Sequence, residues 1–246
     1  LVTDIDLVEF DVITAVATSA EGTSEMSACL TASDPPPGIA VDSSADSTTL
    51  NGGCDATGDA NACTLREAIT LANAQAGADT IRFAIPGDGP HVITLAGILP
   101  TITGGLSIDG YTQLGAAPNA DPVSSDAVIK IEVRNGSLLT AFQTCTPDLV
   151  DLRGLAINGS TNALISTTAG GSCGVGSLRV RGSWLGFGAD GGPRGGTIAV
   201  VARIPLNFGG PELADRNVVG NYDTGLFIRN LGAGSVVSNS LFGYTP

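Results

Sequence analysis

The chain has 246 residues, 43% of them hydrophobic, and a formal net charge of −13 with a single lysine, Lys130. That is enough apolar content for one large domain or two modest ones, and it excludes wholesale disorder. The sequence shows no cluster of Lys and Arg, which argues against nucleic acid or an anionic membrane as main partner, and no apolar run of about 18 residues that would cross a bilayer.

The chain opens on Leu1 with no basic n-region and apolar core, as expected if a signal peptide has been removed or the chain is an excised piece. "TDIDLVEFDVITAVATS" (3–19) alternates: Val8, Phe10, Val12 and Val16 share one face, and Ile5, Leu7 and Ile13 share the other. The pattern predicts a strand of about 15 residues and about 50 Å. Both of its faces are partly apolar and seek burial. "ASDPPPG" (32–38) reads as a stiff linker. Residues 1–35 are therefore expected to form an extended segment, and 36–246 a separate domain. Two uses of the segment stay open. It either folds with its own chain, or as the stub of a preceding domain, or it pairs with a neighbouring copy by strand addition.

Further on, Thr64-Leu65-Arg66-Glu67 has the form of a capping box. Leu65, Ala68, Ile69 and Ala72 follow at helical spacing, which predicts an amphipathic helix over about 65–75, stopped by Gly77. From Thr80 onward extended segments dominate: His91–Leu95, Gly105–Ile108, Val128–Val133, Leu149–Ile157, Ser177–Leu185, Thr197–Ile204, Gly225–Ile228 and Ser235–Phe242. Pro-Gly, Asn-Gly and Gly-Gly turns separate them.

These segments carry a period. Leu152, Val180, Phe208 and Val237 sit 28, 28 and 29 residues apart in related phrases, and Val200 and Ile228 are 28 apart. The five cysteines are Cys29, Cys54, Cys63, Cys145 and Cys173. They contain no CxxC pair, and they fit an oxidising compartment with two disulfides and one cysteine left over. Cys145 and Cys173 share the 28-residue interval. Stacked one strand spacing apart, about 4.8 Å, they fall inside the Cα window for a disulfide. The period predicts an all-β fold, a right-handed parallel β-helix with coils of about 28 residues. An antiparallel β-sandwich does not account for a period shared by core positions and cysteines. The helix then reads as a cap, because the first coil of such a stack otherwise exposes apolar surface and strand edges.

"CDATGDANACTLREAITLANAQAGADTIRF" (54–83) resembles the N-terminal motif of CSLREAI-type secreted parallel β-helix proteins, a pectate-lyase-like solenoid family. "IDGYTQLGAAPN", "GSWLGFGADGG" and "GGPELADRNVVGN" resemble recurring phrases of the same family. The likeness covers about 40–246 and leaves residues 1–35 outside. It implies a bond between Cys54 and Cys63, and exported, surface-associated bacterial or archaeal proteins with few catalytic motifs.

Chemistry is sparse at this level. Asp109, Asp148, Asp151, Asp190 and Asp223 are scattered, and the Asp-Asp, Gly-His-Gly and Arg-Ile-Lys motifs of polygalacturonase-like enzymes are absent. His91, the sole histidine, reads as a turn or surface residue. "DATGDAN" (55–61) offers oxygens but lacks the EF-hand spacing. Asn135 and Asn158 head Asn-Gly-Ser sequons. Trp184 alternates with core-like positions, and aromatics total 4%, too few for an obvious sugar platform.

The expectation is an exported, disulfide-stabilised structural β-helix without catalytic residues, cofactor or metal. It is read as a self-assembling extracellular fibre or cell-surface building block, or an adhesin. A polysaccharide lyase or hydrolase, or a glycan-binding β-helix, is the alternative. Partner contacts are expected through residues 4–18, with Val8, Phe10, Val12, Val16 and Cys29, and through an open C-terminal coil. Neither nucleic acid nor a membrane span is expected; surface glycans are a secondary partner class.

Overall fold

A computed structural model describes residues 38–47, 53–54, 62–136, 140–168, 173–229, 234–244 and 246, and within residues 1–37 the backbone of four short strands. The chain divides into two compact units, Leu1–Pro37 and Gly38–Pro246.

In the first unit, β1 (Val12–Ile13) pairs antiparallel with β4 (Leu30–Thr31), and β2 (Thr18–Ser19) with β3 (Gly22–Thr23). Of the long strand expected over 3–19, the described parts, β1 and β2, are both extended. The antiparallel pairing within the segment satisfies strand edges that a lone strand leaves open. Val8, Phe10, Val16 and Cys29 lie outside the described residues; Val12 falls in β1.

The second unit begins with β5 (Ile39–Val41), α1 (Leu65–Ala74), β6 (Ala78–Phe83), β7 (His91–Thr94), β8 (Gly105–Asp109), β9 (Ile131–Arg134) and β10 (Phe142–Thr144). There follow β11 (Leu149–Arg153), β12 (Leu155–Asn158), β13 (Ser160–Thr167), β14 (Ser177–Arg181), β15 (Trp184–Leu185), β16 (Gly196–Ala202) and β17 (Leu206–Phe208). It closes with β18 (Asn217–Val219), β19 (Tyr222–Ile228), β20 (Val236–Val237) and β21 (Ser240–Phe242).

These strands form three parallel sheets, ordered β5-β6-β8-β11-β14-β17-β20, β7-β9-β12-β15-β18-β21 and β10-β13-β16-β19. The unit is thus all-β apart from α1 and short 3-10 turns, and from β11 onward the chain visits the three sheets in turn. The predicted ladder is a register column of the first sheet: Leu152 pairs with Val180, Val180 with Phe208 and Phe208 with Val237. Ile81 and Ile108 extend it, and from Ile81 to Phe208 every member is fully buried. The second column differs from expectation. Val200 pairs with Leu226 and Ala202 with Ile228, so the interval there is 26. An equal interval between paired strands is not general either: Ile108 to Leu152 takes 44 residues and Ile93 to Val133 takes 40. Both of those intervals contain the loop 110–130, whose Ala117–Val128 bridge folds it back on itself.

The predicted strand 149–157 is two strands meeting at Gly154. That residue has φ +66°, and a Cβ there would lie 2.7 Å from the Tyr111 ring, so only glycine turns this corner without strain. Helix α1 carries both halves of the capping box, with the Glu67 N–H donating to Thr64 Oγ1 at 3.3 Å and the Thr64 N–H to Glu67 Oε2 at 3.3 Å. It buries Leu65, Ala68, Ile69 and Ala72 in the core, against β5, the edge strand, and β6. At the opposite edge Val236, Val237 and Phe242 are about half exposed.

Two disulfides bind the unit, Cys54–Cys63 and Cys145–Cys173, the latter closing a separation of 28 residues. A loop of that length removes about 3–4 kcal/mol of unfolded-state entropy. Cys145→Ser/Cys173→Ser is therefore expected to lose about that much in guanidinium unfolding. A loss under about 1 kcal/mol contradicts a staple between successive coils.

Candidate functional site

Alternation along a strand sends every second side chain of the first sheet outward. Two outward columns result. One runs Thr80, Ser107, Asp151, Arg179 and Asn207; the other runs Arg82, Asp109, Arg153 and Arg181. Parallel stacking thus gathers four of the arginines on one face with Asp109 and Asp151. Asp215, from a turn after β17, reaches the same place. This corrects the expectation of scattered carboxylates: residues far apart in sequence become neighbours at one strand spacing, about 4.8 Å.

The charges are interleaved. Asp151, 3% exposed, accepts from Arg179 Nη2 at 2.7 Å and from Arg181 Nη2 at 2.9 Å. Arg181 Nη1 also donates to Asp215 at 3.3 Å, and Arg153 Nη1 to Asp109 at 3.4 Å. Burial works against the Arg181 charge, yet hydrogen bonding and attraction from Asp151, with Asp215 beyond, hold its guanidinium above the usual range. The Arg153 guanidinium lies 5.3 Å from the centroid of the Tyr111 ring, a cation–π contact. Burial lifts the Tyr111 phenol above its usual range, with Arg153 pulling the other way. The phenol therefore stays protonated and donates to the Gly182 carbonyl at 2.6 Å.

Some polar groups of both kinds remain without partners, Asp79 Oδ2 among them. Arg82 forms no ion pair among the described residues. The Nε of Arg82, Arg153 and Arg179 is in each case buried without a hydrogen bond. Two adjoining clefts cross the face. One of about 540 Å³ is lined by Asp79, Thr80, Ser107, Asp148, Asp151 and Leu149; the other, of about 260 Å³, by Asn207, Asp215, Val236 and Ser238. Arg179 and Arg181 line both, so the clefts meet there. The clefts thus present carboxylates and guanidinium groups side by side. Asp109, Asp151 and Asp215 each already accept from a guanidinium, whereas Asp79 and Asp148, which line the larger cleft, form no ion pair among the described residues.

The other sequence candidates lie elsewhere. Asp190 is held below the usual carboxylate range by the Arg194 guanidinium and the Gly192 N–H, and Arg194 also approaches buried Glu132 at 3.8 Å. Asp223 is an exposed residue of β19. His91 Nε2 contacts the Gly87 carbonyl and Gln113 Nε2, a turn role. Asn135 and Asn158 are 0% and 1% exposed, so the folded chain withholds both sequons from glycosylation. Asn158 instead donates to Glu132 and the Phe187 carbonyl.

Trp184 is buried on the outer face of the second sheet with Ala127, Ile129, Ala156, Phe187 and Val218, under the 110–130 loop. Arg216 fastens that loop by donating to the carbonyls of Asp121, Pro122 and Ser124. The 55–61 loop lies outside the described residues. Spacing along the chain does not by itself single out the arginines, because they occupy the outward positions of their strands. Their signal was the same period, since Asp151 and Arg179, like Arg153 and Arg181, are 28 apart.

No protein-family model matches this chain, and no curated protein matches it.

Proposed function

We propose that this protein is an exported, right-handed parallel β-helix with a structural, non-catalytic role, a building block of an extracellular fibre or cell surface joined through its N-terminal segment. The single observation that carries the non-catalytic part is the outer face of the first sheet: Asp109, Asp151 and Asp215, the carboxylates beside its arginines, each accept from a guanidinium.

The solenoid reading is supported by three parallel sheets visited in turn, with α1 as the cap over β5. Export is supported by two disulfides, which persist in oxidising compartments. Among the described residues no helix is long and apolar enough to cross a membrane. The resemblance to CSLREAI-type proteins points the same way. Assembly draws on the apolar alternation of residues 5–16. A second reading, a polysaccharide-active or glycan-binding β-helix, draws on the two clefts that meet at Arg179 and Arg181.

Electron microscopy of the purified full chain, beside a screen of acidic polysaccharides for released reducing or unsaturated ends, separates the two. Ordered filaments and no release are expected. Release that disappears in Asp151→Asn overturns the structural reading in favour of an enzyme.

A further inference from the structure

We propose that the edge strand β19 pairs antiparallel with β19 of a second copy, joining two chains tail to tail. The inference goes beyond the assembly reading above, because it adds a contact that the N-terminal segment does not make. The core ends differently at the two ends of the three parallel sheets. In the first strands, β5, β7 and β10, Val41, Ile93 and Phe142 are fully buried, and α1 packs on β5. In the last strands, β19, β20 and β21, Ile228, Val237 and Phe242 are 39%, 45% and 48% exposed. The residues that these three pair with one strand back, Ala202, Phe208 and Val219, are buried. Among the described residues β19, β20 and β21 stand last in their sheets, so each keeps one edge without a strand beside it. On β19 the side of that edge is defined. The Arg229 N–H donates back to the Ala202 carbonyl at 2.7 Å, so alternation turns the backbone groups of Leu226 and Ile228 to the open side.

A second copy is the occupant that this end fits. Edge strands are commonly guarded by shortness, lysine or proline; β19 is seven residues long and carries neither Lys nor Pro. Residues 222–246 hold only two charged side chains, Asp223 and Arg229, in a chain of net charge −13, so this end repels a copy least. The two charges are opposite in sign. The Arg229 guanidinium lies 5.5 Å from the centroid of the Phe227 ring, which holds it beside the strand. An antiparallel pairing centred on Leu226 sets each Asp223 opposite Arg229 of the other copy, and Gly225 opposite Phe227. The edge is therefore its own complement. The other end of a second copy offers no matching face, because its core residues are already covered. Area agrees. Phe227, Ile228, Val236, Val237, Phe242 and Tyr244 are each about half exposed. At about 150–200 Å² per side chain they leave about 500 Å² of apolar surface uncovered. Two facing copies then bury about 1,000 Å², the size at which specific interfaces begin.

The test is sedimentation of the full chain over a concentration series, with the variants Asp223→Arg and Arg229→Asp. Both side chains are exposed, so neither change disturbs the core. Each variant alone sets like charges opposite each other and is expected to associate at least about tenfold more weakly than wild type. An equimolar mixture of the two is expected to restore association, because opposite charges then face each other at both ends of the pair. The double change Asp223→Arg/Arg229→Asp in one chain is expected to associate as wild type does, since it exchanges the charges and keeps the match. Unchanged association of both single variants overturns the pairing and leaves assembly through the N-terminal segment standing. A mixture no stronger than its components, with the double change also weak, overturns the pairing as well. Wild-type filaments that shorten to dimers in the single variants support this contact beside the N-terminal one. A wild type that stops at dimers, with monomeric single variants, supports the tail pairing and overturns the N-terminal contact. A wild-type chain that stays monomeric throughout overturns both.

Discussion

Arg66→Ala is expected to cost about 3–5 kcal/mol, the loss seen when one partner of a buried ion pair is removed. Arg66 is 6% exposed, and its guanidinium meets Asp46 through two hydrogen bonds of 2.8 Å while donating to the carbonyls of Gly97 and Ile98. The Asp46 side chain is 1% exposed and also takes the Ala96 N–H at 2.7 Å. Truncation leaves that carboxylate charged and away from water, beside two carbonyls that repel it. Lysine does not rescue, because a point charge cannot serve four acceptors in one plane. The double change Arg66→Met/Asp46→Leu removes both charges and is expected to recover most of the loss. Denaturant unfolding of the three variants reads the result. A loss under about 1 kcal/mol for Arg66→Ala shows that the pair does not hold α1 to the loop after β7.

Phe208→Ala is expected to cost a similar amount, about 3–5 kcal/mol, for a different reason. Phe208 is fully buried in the register column between Val180 and Val237, and its ring centroid lies 6.0 Å from that of Phe242. Truncation opens a cavity between neighbouring strands of the first sheet, and in the proposed solenoid each repeat touches only its neighbours. The damage should therefore stay local: hydrogen exchange is expected to show β20 and β21 losing protection while β6 and β8 keep theirs. Uniform loss along the whole unit contradicts a stack of nearest-neighbour coils.

Several features were legible in the chain itself. The cap of α1 needs only Thr64 and Glu67 three residues apart, a contact set by helix geometry. The column Leu152–Val180–Phe208–Val237 was legible because those coils keep nearly equal length, so a spatial neighbour is also a fixed interval. The same interval placed Cys145 over Cys173. Where a loop lengthens a coil, the code fails. The 44-residue step from Ile108 to Leu152 hid the continuation of the column. The bulge between Ser160 and Ala163 hid β13, whose polar start breaks simple alternation.

Sequence by itself determined the period, the inward apolar column, the helix and its cap, because each depends on spacing along one stretch of chain. Only the tertiary structure decided which charges meet. Arg82, Asp109, Asp151, Arg179 and Asp215 come from different coils, and their adjacency follows from which strands stack and from the length of every intervening loop. It likewise decided that Asn135 and Asn158 are buried and that Trp184 hides beneath a loop. Side-chain direction at a sheet corner is fixed by backbone turns such as Gly154 at φ +66°, and no residue count along the chain reveals it.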